Sequence, residues 1–232
     1  DIPLPHPDAQ AFEVKEADGS HVGVLYMDFF PRESKRQGAW CGSYRDHQVV
    51  DGRKITPVVT IVGNFTPPAG DKPALLSMDD VLTLFHEFGH GLQGLFSENT
   101  YSTTTVAWDI VELPSQIMEH WVFEPEVLKI YAKHFQTGEV IPDALIEKIE
   151  KAGKFNQGFI TTEYLAASSL DMEYHSLTEP VELNIGEFEK KAMDKYGLIS
   201  EIIPRYRSTY FNHIIGGYSA GYYSYIWCEQ LD

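Results

Sequence analysis

Leu84-Phe85-His86-Glu87-Phe88-Gly89-His90-Gly91 lies inside an apolar run, residues 81–96, whose spacing predicts a buried helix. Residues four apart on a helix share a face, so His86 and His90 point the same way about one turn apart. That separation lets two imidazole nitrogens reach one zinc ion at roughly 2.0–2.1 Å. Glu87 is offset by one residue and would flank the metal rather than ligate it, where a carboxylate can take a proton from water. The pattern fixes only three positions and arises by chance about once in a hundred chains of this length. Two core histidines satisfied by backbone carbonyls would give the same string. A third ligand decides between these readings.

After His90 the acidic candidates are Glu98, Asp109, Glu112 and Glu119. Glu98 lies at the end of the expected helix, too close in sequence to fold back. Glu112 follows after enough chain for a loop and a returning helix, among apolar Ile110, Val111 and Leu113, and a buried carboxylate needs a partner such as a metal. The competing reading is that Asp109-Ile110-Val111-Glu112 forms a capping box. Glu119 is two turns further on and could accept the N–H of a ligating histidine, or be a solvated helix carboxylate.

Ser77, with Asp80 three residues on, is a suitable cap for the histidine-bearing helix. Upstream, residues 11–15 and 21–30 predict two strands joined through Ala17-Asp18-Gly19-Ser20. Residues 38–45 and 57–65 predict further strands, the second built on Val-Val-Thr-Ile-Val, a fully buried pattern. Downstream the pattern is helical. A second helix is expected from Asp109 through Trp121, with Pro114 in its first turn, then helices over 125–135, 142–152, 155–177 and 186–196, and a last one from Tyr218. The fold class is therefore α+β, predominantly α, with a small N-terminal sheet followed by a helical bundle.

The net charge of −16 argues against nucleic acid or an anionic membrane surface as partner. Two cysteines, Cys41 and Cys228, make no disulfide framework and read as packed thiols. No apolar run is long enough to cross a bilayer, and the first residues lack the regions of a signal peptide. Both ends read as cut, because the chain starts without Met and stops directly after an aromatic helix pattern. The compartment is not read from these ends, with the cytoplasm favoured over the periplasm.

Three separated motifs resemble one family. Phe85-His86-Glu87-Phe88-Gly89-His90 followed by Val111-Glu112-Leu113-Pro114-Ser115-Gln116 is similar to the zinc peptidases related to thimet oligopeptidase, neurolysin and bacterial peptidyl-dipeptidase. His213-Ile214-Ile215-Gly216-Gly217-Tyr218-Ser219-Ala220-Gly221-Tyr222-Tyr223-Ser224-Tyr225 resembles that family's second signature. Phe155-Asn156-Gln157-Gly158-Phe159, Leu170-Asp171-Met172-Glu173-Tyr174-His175 and Tyr26-Met27-Asp28-Phe29-Phe30-Pro31-Arg32 are closest to the peptidyl-dipeptidase branch.

The resemblance implies a zincin-type catalytic region spanning 1–232, with one zinc ion on His86, His90 and Glu112 and with Glu87 as general base. His213 and Tyr225 match residues that bind substrate or stabilise the tetrahedral intermediate, and Tyr218 and Tyr222 match positions that contact peptide backbone. For the tyrosines, the residues alone favour an aromatic helix face packed in a core. Implied substrates are oligopeptides losing C-terminal dipeptides. The alternatives are an oligopeptidase A-like endopeptidase and a catalytically incomplete zinc-containing fragment. Further N-terminal and C-terminal parts of the same polypeptide are implied as partners. By analogy with related zinc peptidases, Gly38-Ala39-Trp40-Cys41-Gly42-Ser43 is a candidate edge strand for an extended substrate, with Ala39 among the substrate-binding positions; an interior strand is the other reading. Two departures stand out: the connection 97–108 is roughly three residues shorter than the family's usual loop, and Gln93 stands where a further histidine is common.

Overall fold

A computed structural model of the chain describes residues 2–101 and 106–232. They fall into two compact units, Asp1–Thr105 with Pro114–Ile146, and Val106–Leu113 with Glu147–Asp232.

The first unit opens with six strands: β1 (Gln10–Lys15), β2 (His21–Asp28), β3 (Trp40–Arg45), β4 (Gln48–Val50), β5 (Arg53–Ile55) and β6 (Val58–Val62). Four of them form a mixed sheet in the order β1-β2-β6-β3. Strands β2 and β6 run parallel at its centre, and β1 and β3 flank them antiparallel. β6 is central because its Val58-Val59-Thr60-Ile61-Val62 run is apolar on both faces, and four of its five residues are buried. Between β1 and β2 the chain turns through Gly19 at φ +86°. Within the 38–45 stretch, Trp40–Arg45 is an edge strand among the described strands, not an interior one.

Helix α1 (Met78–Phe96) lies on this sheet, with Leu95 in one core cluster with Leu25, Val59 and Ile61. A Cβ on Gly91 would stand 3.0 Å from Ile61 Cδ1, and one on Gly94 3.1 Å from Val59 Cγ2, so the glycines let α1 seat closely on β6. Asp28 at the end of β2 is buried and accepts both guanidinium nitrogens of Arg32, at 2.8 and 2.7 Å, and Lys35 Nζ at 3.0 Å. This cluster fixes the turn leaving the strand. Helices α2 (Leu113–Phe123) and α3 (Pro125–Tyr131) follow, and α4 (Asp143–Gly153) runs across the boundary at Ile146.

The second unit holds α5 (Gln157–His175), α6 (Ile185–Lys195), α7 (Asn212–Ile215) and α8 (Ser224–Glu229), with single 3-10 turns at Trp108–Ile110 and Ser208–Tyr210. Ala166, Ala167 and Leu170 of α5 pack with Ala192 and Met193 of α6 and with Phe211, Ile214 and Tyr222. No described helix is long and apolar enough to cross a membrane.

Several boundaries differ from the sequence reading. The helix expected from Asp109 is a 3-10 turn, and α2 starts only at Leu113. The capping box, the other reading of Asp109-Ile110-Val111-Glu112, needs Asp109 as N-cap, and Ala107 holds that place at the 3-10 turn. The last helix begins at Ser224 rather than Tyr218, because Ala220 adopts φ +54° and breaks the helical path. Asn156 at φ +57° similarly delays α5. The β4–β5 hairpin was not expected. Its turn is Asp51-Gly52, both at positive φ, a two-residue hairpin signal whose flanking strands are too short to show alternation. The shortened 97–108 connection lies partly outside the described residues.

Candidate active site

The site begins with the entry into α1. Ser77 Oγ accepts Asp80 N–H at 3.1 Å, and Asp80 Oδ2 accepts Ser77 N–H at 3.0 Å, so the capping box expected from sequence is formed. Along the helix, Val81, Glu87, Gly89, Gly91 and Leu95 are buried, while His86 and His90 are half-buried. The two imidazoles stand with ring centroids 5.1 Å apart and planes at 84°. Each presents a ring nitrogen within 4.8 Å of the other's. His86 Nδ1 lies 2.6 Å from Glu119 Oε1 on α2. A carboxylate there holds the proton on Nδ1 and makes Nε2 the lone-pair nitrogen.

Glu87 is 7% exposed and sits close enough to Cys41 of β3 for its charge to act on the thiol. Burial first, and then that charge, push Cys41 up to about 12. Cys41 is thus a neutral packed thiol beside the carboxylate, and Ala39 lies half-buried one residue before the same edge strand. Gly89 has no side chain for a specific reason. A Cβ there would stand 2.3 Å from the Pro114 carbonyl oxygen and 2.6 Å from Ser115 Cα. The start of α2 therefore crosses α1 directly over the turn that carries both histidines. Sequence reasoning missed this, although a glycine inside a helix costs about 1 kcal/mol relative to alanine and so signals a close approach.

The second unit assembles a different set of groups. Glu112 is fully buried, and its Oε1 accepts the Tyr218 hydroxyl. Tyr218 stacks on Tyr225 with centroids 5.3 Å apart and planes at 18°. His213 packs among Tyr206, Tyr218, Tyr222 and Tyr225 at centroid distances of 4.7, 5.7, 5.3 and 6.3 Å. Trp108, also unremarked in the sequence, packs 4.8 Å from Tyr218 over Gly217 and Gly221. A Cβ on Gly221 would stand 2.6 Å from the indole Cδ1, so this seat requires glycine.

Burial, and then the Glu112 carboxylate, push the Tyr225 phenol far above its ordinary value, so it remains a neutral donor. Burial lowers His213, partly opposed by Glu112, and favours the neutral imidazole. Tyr222 is 2% exposed and belongs to the core cluster of this unit, which is the packed arrangement its residue type suggested. The structure thus groups His86, Glu87, His90 and Glu119 in one unit, and Glu112, His213, Tyr218 and Tyr225 in the other.

The sequence matches Peptidase family M3 over residues 4–232, and the chain belongs to that family of peptidases. It is 46% identical over 237 residues to the dipeptidyl carboxypeptidase of Salmonella typhimurium (strain LT2), covering 100% of this chain and 35% of that protein. Identity to the dipeptidyl carboxypeptidase of Escherichia coli (strain K12) is 44%, with 100% of this chain and 34% of that protein covered. Oligopeptidase A of the same organism is 34% identical, again over 100% of this chain and 35% of its own length. The chain spans about a third of the length of the curated relatives it matches.

Proposed function

We propose that this chain carries the catalytic groups of a zinc-dependent peptidyl-dipeptidase, which releases C-terminal dipeptides from oligopeptides. The observation that carries the reading is the imidazole pair of α1, with Glu119 on Nδ1 of His86 and Glu87 buried between them. The donor set fits zinc. Two imidazoles one turn apart supply two ligands, and we assign the third to the buried carboxylate of Glu112. Chain continuity supports that assignment, because Glu112 precedes by two residues the Pro114 that lies against Gly89, roughly 7 Å of extended backbone.

When bound, zinc supplies a Lewis acid for the scissile carbonyl and makes water acidic enough to attack near neutral pH. Glu87 takes the proton of the attacking water and delivers it to the leaving amine. Tyr225, held protonated, and neutral His213 donate to the oxyanion as it develops. Tyr218 steadies the Glu112 carboxylate through its hydroxyl. β3, open on its outer side among the described strands, pairs with the substrate backbone.

The experiment is metal analysis and peptide hydrolysis with the intact protein. Glu87→Gln should retain zinc while hydrolysis falls by about 10²- to 10⁴-fold. Glu112→Ala should weaken zinc binding by orders of magnitude, and unchanged zinc content in that variant removes Glu112 from the ligand set. Substrates with a free C-terminus should be cleaved and their amides spared. Equal cleavage of both would support the endopeptidase reading, which the oligopeptidase A similarity also fits.

A further inference from the structure

Asp171 lies on the buried side of α5 and is 0% exposed. Its Oδ1 accepts Ala220 N–H at 2.9 Å, and its Oδ2 accepts Tyr222 N–H at 3.0 Å. His175, one turn on, places Nδ1 2.7 Å from Oδ1. Both backbone donors belong to the stretch between α7 and α8, which contains Gly216, Gly217 and Gly221 and has no regular helix. Ala220 is held there at φ +54°, a region that a residue with a Cβ occupies only when its surroundings impose it. Tyr218 and Tyr225 leave from this stretch and from the first turn of α8. A glycine-rich segment does not aim two phenols unaided.

We propose that Asp171 is a positioning residue for the active site. Its buried carboxylate clamps the backbone at Ala220 and Tyr222, and through it keeps Tyr218 on Glu112 and Tyr225 stacked on Tyr218. The clamp stands on geometry alone; the chemical task of Tyr225 rests on the peptidase reading.

Amide hydrogen exchange in the intact wild-type protein tests the clamp with no variant required. Ala220 and Tyr222 should exchange at least about tenfold more slowly than Gly217 and Ser219, and equal rates overturn the proposal. Asp171→Asn leaves one acceptor and turns an amide donor towards the second N–H, so exchange at Ala220 and Tyr222 should accelerate. In that variant kcat should fall about 10- to 100-fold, with zinc content retained and KM within about threefold. In a Tyr225→Phe background, the same change should cost less than about threefold further, because the two act through one phenol. Losses that multiply, or that fall on KM, overturn the positioning role and leave Asp171 a residue of the fold only. If the wild-type protein cleaves no peptide, the peptidase reading falls, and the exchange rates at Ala220 and Tyr222 still decide the clamp.

Discussion

Gly89 shows how a single missing methyl group organises the histidine pair. Alanine at this position would favour the helix by propensity, yet its Cβ would stand 2.3 Å from the Pro114 oxygen, and backbone cannot yield as a side-chain tip does. Gly89→Ala should therefore destabilise the fold by about 1–3 kcal/mol and weaken metal binding, as α2 is pushed off α1. Urea denaturation and zinc titration read the two effects separately, and a stabilised variant would refute the crossing. His86, Glu87 and His90 were legible in the sequence because a helix converts a four-residue spacing into a shared face. The demand on Gly89 was not legible, since it comes from a segment that sequence spacing does not place. Glu119 was readable as a candidate only, since a partner on another helix gives no local signal.

At the scale of elements, the signals that read correctly were those with a local physical cause. Ser77 and Asp80 specify the start of α1 through two reciprocal hydrogen bonds. Ser77→Ala should cost about 1 kcal/mol and lower the melting temperature by about 2–4 °C, measurable by calorimetry. An unchanged melting temperature would mean that packing on β6 alone fixes the helix. The buried Val-Val-Thr-Ile-Val run likewise announced a central strand. What sequence patterns did not give was decided elsewhere in the fold. Residues 218–223 look helical by their aromatic spacing, but the Asp171 carboxylate and the left-handed Ala220 hold them in turns. The three-residue strands β4 and β5 depend on the Asp51-Gly52 turn and present no periodicity of their own. The tyrosine cluster carried two meanings at once: Tyr222 lies inside the core cluster while Tyr225 packs against it only partly buried, and residue type does not tell the two apart.

Over the whole molecule, acid is the condition that probes the buried ion pairs. Arg32 hydrogen bonds hold Asp28 below the usual carboxylate range, against burial and with help from Lys35. Burial raises Glu189, but the Ser208 N–H and hydroxyl and the Arg207 guanidinium outweigh it, leaving a net depression. A carboxyl depressed in the fold binds protons more tightly in the unfolded chain. Its stabilisation is complete above the unfolded value of about 4 and is lost as pH falls through the folded one. Asp28→Asn and Glu189→Gln should each be less stable at pH 7 and show a shallower loss of stability below about pH 5. Denaturant titrations across that range test this, and parallel curves for wild type and variants would exclude these pairs as the source. The comparison with variants matters because relief of repulsion among 34 acidic residues works in the opposite direction.

The thread of the chain also has a practical corollary. Val106–Leu113 belongs with Glu147–Asp232, while the residues on either side of it belong to the other unit. The polypeptide consequently passes from one unit to the other three times along its length. A gene cut after residue 146 would strand Trp108 and Glu112 on the wrong piece, leaving the other with an empty indole berth over Gly217 and Gly221. Swapping one half against a homologue's therefore means transplanting that octapeptide as well.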